Sequence, residues 1–107
     1  MADDLKVALT ATLSNSAIKI LDGVADHVYT VLSISFCETA SADELLDLYI
    51  NDDAGGTLYY IYKGKAIAAD TTVFHDKKIV MSGTDELTAV LASAGDVDVV
   101  VSYLDQS

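Results

Sequence analysis

Few residues in this chain are of a type and spacing that could do chemistry. Cys37 is the only cysteine, and His27 and His75 are the only histidines. A thiolate nucleophile needs a base within hydrogen-bond reach, and neither histidine lies in a motif that supplies one to Cys37. Cys37 falls in an alternating apolar segment and reads as a partly buried structural thiol; as a single cysteine it forms no intrachain disulfide. His75, in Phe74-His75-Asp76-Lys77-Lys78, reads as a solvated corner between strands, and His27 as a residue at a strand start.

The carboxylates recur in pairs: Asp3-Asp4, Asp43-Glu44, Asp52-Asp53, and Asp96 with Asp98. The stretch Asn51-Asp52-Asp53-Ala54-Gly55-Gly56 is the nearest to a calcium loop, but it lacks the spaced ligands and terminal glutamate of an EF-hand. It reads as a tight hairpin connection. Asp96 and Asp98 share the polar side of one strand, and with no tryptophan in the chain nothing indicates a sugar platform for paired-carboxylate chemistry. No zinc-ligand spacing, glycine-rich phosphate loop or nucleophile elbow occurs. The expectation is therefore a non-enzyme: no catalytic residue, no cofactor and no metal.

The elements that would position such groups are strands. Turn-forming clusters stand at Ser14-Asn15-Ser16, Leu21-Asp22-Gly23, Asn51 to Gly56, Lys63-Gly64-Lys65, Ser82-Gly83-Thr84 and Ala94-Gly95-Asp96. Their spacing suits an all-β sandwich or barrel, and with no proline in the chain the turns rest on Gly, Asn, Asp and Ser. Period-2 alternation puts Val28, Thr30, Leu32, Ile34 and Phe36 on one face of a long strand and Tyr29, Val31, Ser33 and Ser35 on the other. Val97, Val99, Val101 and Tyr103 alternate with polar residues in the same way. Two segments carry helical signals as well: Ser41 to Ile50 and Thr84 to Ala94 both open on a capping-box pattern, and periodicity leaves helix and strand open for each.

The 107 residues make one domain, expected over 1–107, with Met1 to Leu9 as an N-terminal arm. No window approaches the roughly 18 to 20 apolar residues of a membrane helix. The acidic start lacks the basic region and apolar core of a leader peptide, so use without secretion is expected. Six basic against 17 acidic side chains leave a net charge of −11. That balance opposes phosphate contacts and anionic lipid, so neither nucleic acid nor membrane is an expected partner.

Tyr49, Tyr59, Tyr60 and Tyr62 cluster around the expected hairpin at Asp52 to Gly56. Adjacent Tyr59 and Tyr60 must face opposite sides of a strand, which places one of them outside. Tyrosine is enriched at interfaces, so Tyr59, with Tyr29 and Val31 on the outer face of the long strand, are the candidate interface residues.

Taken in order, VYTVLSISFCETA (28–40), DLYINDDAGGTLYYIYKGKAIAADTTV (47–73) and VMSGTDELTAVLASAGDVDVVVSYLDQ (80–106) resemble small β-sandwich virion proteins of tailed bacteriophages. The resemblance covers Ala25 to Asp105 and is one of element order, not of a catalytic motif. The turn Gly83-Thr84-Asp85-Glu86 departs from it by one extra residue. The resemblance moves both helix-like segments towards strand. It implies a single antiparallel β-sandwich, jelly-roll-like, of about seven or eight strands. It also implies a capsid cement or decoration protein that binds the major capsid protein and stabilises the shell. Such a protein forms a homo-oligomer, typically a trimer, sits on the capsid exterior of the virion, and assembles in the host bacterial cytoplasm. A neck or tail accessory protein and a carbohydrate- or receptor-binding module are the alternatives.

Overall fold

Alternation of apolar and polar residues drives each segment into a sheet that buries one side. The computed structural model describes residues 2–107, which form nine strands. These are β1 (Asp3–Leu13), β2 (Ile18–Asp22), β3 (Val28–Glu38), β4 (Glu44–Asn51), β5 (Leu58–Ile67), β6 (Thr72–His75), β7 (Ile79–Ser82), β8 (Glu86–Leu91) and β9 (Val97–Gln106). One 3-10 turn, Asp52–Ala54, joins β4 to β5, and no α-helix occurs among the described residues.

All pairings are antiparallel and make two sheets, ordered β1-β9-β3-β6 and β2-β8-β4-β5. β7 also pairs with β3: β6 lies along Ile34 to Cys37 and β7 along Val28 to Val31. The two are halves of one edge strand, so there are eight strand positions, four in each sheet, in jelly-roll order, with β4 and β5 a hairpin within one sheet. This is the all-β sandwich expected from the sequence. Both segments with capping-box starts are strands, β4 and β8. In β4 the burial alternates, Glu44, Leu46 and Leu48 in against Leu45 and Asp47 out, and the pairing with β5 and β8 on either side outweighs the local helical signal.

The core lies between the sheets and includes Leu13, Ile34, Phe36, Leu46, Leu48, Leu87, Val99 and Val101, all buried. Three expectations are corrected by bulges and pairing. Val31 sits opposite Tyr103 and Ser33 opposite Ser102, so Leu32 is an extra residue in β3. The bulge reverses which side points inward, and Val31 and Ile34 both enter the core; strict alternation had set them on opposite faces. Lys63-Gly64-Lys65 is not a turn but lies within β5, where Lys63 and Gly64 together oppose Asp47. Gly64 takes φ +69° there and donates its amide to the Asp47 carboxylate at 2.8 Å. The expected N-terminal arm is, from Asp3 onward, the edge strand β1 hydrogen-bonded to β9; Met1 lies outside the described residues.

Candidate functional site

The three candidate interface residues are not brought together. Tyr29 and Val31 belong to the core, 6% and 0% exposed, because the bulge at Leu32 turns that end of β3 inward. Tyr29 packs its ring 4.9 Å from that of Tyr103, and its placement on an outer face is corrected. Tyr59 is 59% exposed as expected, and Leu58 and Tyr60 beside it are exposed too. Both neighbouring tyrosines are open because β5 is the edge strand of its sheet. Tyr60 packs against Tyr49 across the hairpin, 5.1 Å between ring centres with the planes tilted by 48°, and the Lys63 ammonium lies 4.7 Å from the Tyr60 ring centre. Lys63 and Lys65 on this edge hinder addition of a further strand, which leaves the aromatic end as the open part.

The histidines and the cysteine do not converge. Cys37 is half-buried at one end of β3, opposite Asp98 and Thr72, whereas His27 precedes the other end, about 30 Å along the strand. His75 faces inward opposite Ile34; it is buried, not solvated, and shares a 2.8 Å hydrogen bond with the Tyr62 hydroxyl. Burial raises the Tyr62 phenol above its ordinary range. Sequence could not show this contact, since the edge-strand break at Asp76 to Lys78 decides on which side His75 falls.

Two buried carboxylates organise the ends of the sandwich, and neither stood out in the sequence. Asp105 accepts from Lys6 at 2.8 Å and meets His27 Nδ1 at 2.7 Å. The Lys6 ammonium, followed by His27, holds it below the usual carboxylate range. Glu38, also buried, accepts the backbone amides of Asp70 (3.0 Å), Ala40 (2.8 Å) and Ala42 (3.2 Å). These amides, Asp70's first, pull its acid strength up and its pKa down, and they pin the β3–β4 and β5–β6 connections to one point.

Lowered folded values mean that both groups stabilise the fold above about pH 4, the unfolded carboxylate range, and lose that contribution as pH falls through the folded values. Glu38→Gln places an amide against three N–H donors. Its melting temperature should be below wild type at pH 7, and the gap should close as pH drops below about 4. Thermal melts from pH 7 to 3 read this directly; a gap constant with pH would remove the charged Glu38 from the account.

The residues that could hold a cation are Asp52, Asp53 and Asp85, whose oxygens lie within 4.8 Å of one another. The sequence pointed to the first two, and Asp85 joins them from the β7–β8 turn. The Asp53 and Ser82 amides already donate to Asp85 at 3.1 and 3.2 Å, and the Asp53 charge raises the Asp52 carboxyl above its ordinary value. The trio serves the local turns, tying the 3-10 turn to β8.

No family model matches the chain, and no curated protein matches it. Among solved structures, it is similar to a chain of the one described as "Bacillus endospore appendages form a novel family of disulfide-linked pili". The TM-score is 0.58 at 10% identity, over 99% of this chain and 87% of that one. At this identity the likeness establishes the fold, a two-sheet β-sandwich.

Proposed function

We propose that this chain is a non-enzymatic structural protein that works by attachment within a larger assembly. The finer reading is a capsid cement protein of a tailed bacteriophage, bound to the major capsid protein on the shell exterior. The observation that carries attachment is the run Leu58-Tyr59-Tyr60, three consecutive large side chains left 42%, 59% and 47% exposed on an edge strand. Exposed apolar groups of this kind, rimmed by charge, mark contact sites, and tyrosine supplies area with a polar tip. Many copies on a shell multiply a weak contact through avidity.

Tyr59→Asp should lower occupancy on purified particles about tenfold or more while leaving the melting temperature near wild type. Quantitative mass spectrometry of the particles, with electron microscopy for placement, is the check. Hundreds of copies over the shell support cement, a few copies at one vertex support a neck or tail subunit, and absence from particles removes the virion reading.

A second reading, an appendage subunit, is favoured by the fold likeness to a pilus chain. It expects filaments from the purified chain. One cysteine per chain permits each chain at most one intermolecular disulfide, so such bonds join copies only in pairs.

A further inference from the structure

The two sheets present very different outer faces. The outside of the four-stranded sheet carries internally paired charges, Lys19 to Glu86 at 2.9 Å and Lys63 to Asp47 at 3.3 Å, interspersed with the exposed Leu45 and Tyr60. On the outside of the five-stranded sheet, β1, β9 and β3 show no charged residue between their two ends, and the exposed Asp76, Lys77 and Lys78 stand only at the outer edge, in the break between β6 and β7. Its pairings set Leu5, Val7 and Leu9 of β1 beside Leu104, Ser102 and Val100 of β9, with Ser33 and Ser35 of β3 next, then Phe74 and Val80 on β6 and β7. Along these three strands charge returns at the ends, where Gln106 donates to Asp3 and the Thr12 amide to Asp98.

β1 is inverted relative to an ordinary half-buried strand. Its polar Lys6 points inward to Asp105, while Leu5, Val7 and Leu9 face out, 77%, 56% and 73% exposed. Phe74 and Val80, at 68% and 63%, are exposed on the opposite edge, one on either side of the Asp76 to Lys78 break. Between the two edges the small side chains of Ser33, Ser35 and Ser102 leave a shallow trough.

We propose that this face is the contact between two copies of the chain, packed sheet to sheet about a two-fold axis running along β9. Such an axis lays the β1 ridge of each copy in the serine trough of the other, and sets Phe74 and Val80 against the outer side of the second copy's β1. Charge argues for a second copy over another occupant. Two chains of net charge −11 repel everywhere except where their faces are neutral, and a basic partner would be matched by acid, not by leucine and valine. The area is near what is needed. Strands about 4.8 Å apart rising about 3.4 Å per residue give the overlapping β1, β9 and β3 roughly 400 Å2 per copy. Side-chain relief with the flanking Phe74 and Val80 adds to the resulting total of about 800 Å2, towards the roughly 1,000 Å2 of a specific contact. An isologous pair satisfies the face on both copies at once. It replaces the trimer that the phage resemblance implies.

The pairing goes beyond the attachment reading and stands without it, since it is measured on the purified chain alone. Sedimentation velocity should give twice the 11.3 kDa chain mass. Val7→Asp should weaken the pair about 100-fold or more by setting unpaired like charges in the contact, with the circular dichroism spectrum unchanged because Val7 is outside the core. Phe74→Asp on the other edge should do the same, and covers the case in which Val7→Asp fails to fold. Tyr59→Asp should leave the pair intact even where it abolishes shell binding. A monomeric wild type, a threefold mass, a pair that survives both Val7→Asp and Phe74→Asp, or one lost with Tyr59→Asp overturns the proposal.

Discussion

Phe36→Ala is expected to lower the free energy of unfolding by about 3 to 5 kcal/mol. Phe36 is 0% exposed and is the largest fully buried side chain in the sandwich. It stands in the middle of the five-stranded sheet, paired across β9 with Val99 and across β6 with Val73. Hydrogen bonds on both sides hold that stretch of β3 in place, so the walls cannot move in to fill the void, and the cavity cost adds to the lost transfer energy. For a domain of this size the melting temperature should fall by about 15 °C or more. Denaturant titration should show a lower midpoint with an unchanged slope. Phe74→Ala, the residue next to Val73 but 68% exposed on the outer face, should change the stability of the isolated chain by no more than about 0.5 kcal/mol. Equal losses for the two would mean that the sheet has been assigned the wrong inner face.

That pair of variants also marks where sequence reasoning succeeds and where it stops. β9 was legible because Val97, Val99 and Val101 alternate without interruption and all enter the core. β3 was legible as a strand but not in its facing. The extra residue at Leu32 leaves no trace in composition, and one residue of slip carries Tyr29 and Val31 from the outer face to the core. β4 and β8 were ambiguous because an N-cap pattern and an apolar run suit either element; the strands on both sides decide. The inverted face of β1 was visible as letters, Leu5-Lys6-Val7-Ala8-Leu9, yet which side faced solvent depended on the buried partner Asp105, 99 residues away from Lys6. Tyr59 was placed correctly as exposed, but for a coarser reason: the edge position of β5, not alternation, exposes it. Long-range pairing sets what periodicity leaves open.

The same dependence on distant partners makes Gly23→Ala the other large expected effect, about 3 kcal/mol of lost stability. Gly23 follows β2, and its amide donates to the Asp85 carbonyl at 2.9 Å. A Cβ built there overlaps the carbonyl oxygens of both Gly83 and Asp85 and lies 3.1 Å from the Asp85 nitrogen. These are backbone atoms, so no side-chain rotation relieves the clash and the β7–β8 turn itself must shift. That turn carries more than its own geometry: the Gly83 amide donates to the His27 carbonyl at 3.0 Å, and the Asp85 carboxylate accepts from Asp53 and Ser82. Displacing it therefore loosens the entry to β3, the 3-10 turn after β4 and the start of β8 together. Gly83→Ala separates this steric demand from backbone conformation. Nothing lies near its Cβ, and only its φ of +57° resists an L-residue, which costs about 1 to 2 kcal/mol. Gly23→Ala should thus be the more damaging of the two in parallel thermal melts. The reverse order would mean that the two turns are not in contact, and that the β2–β3 and β7–β8 connections close the sandwich independently.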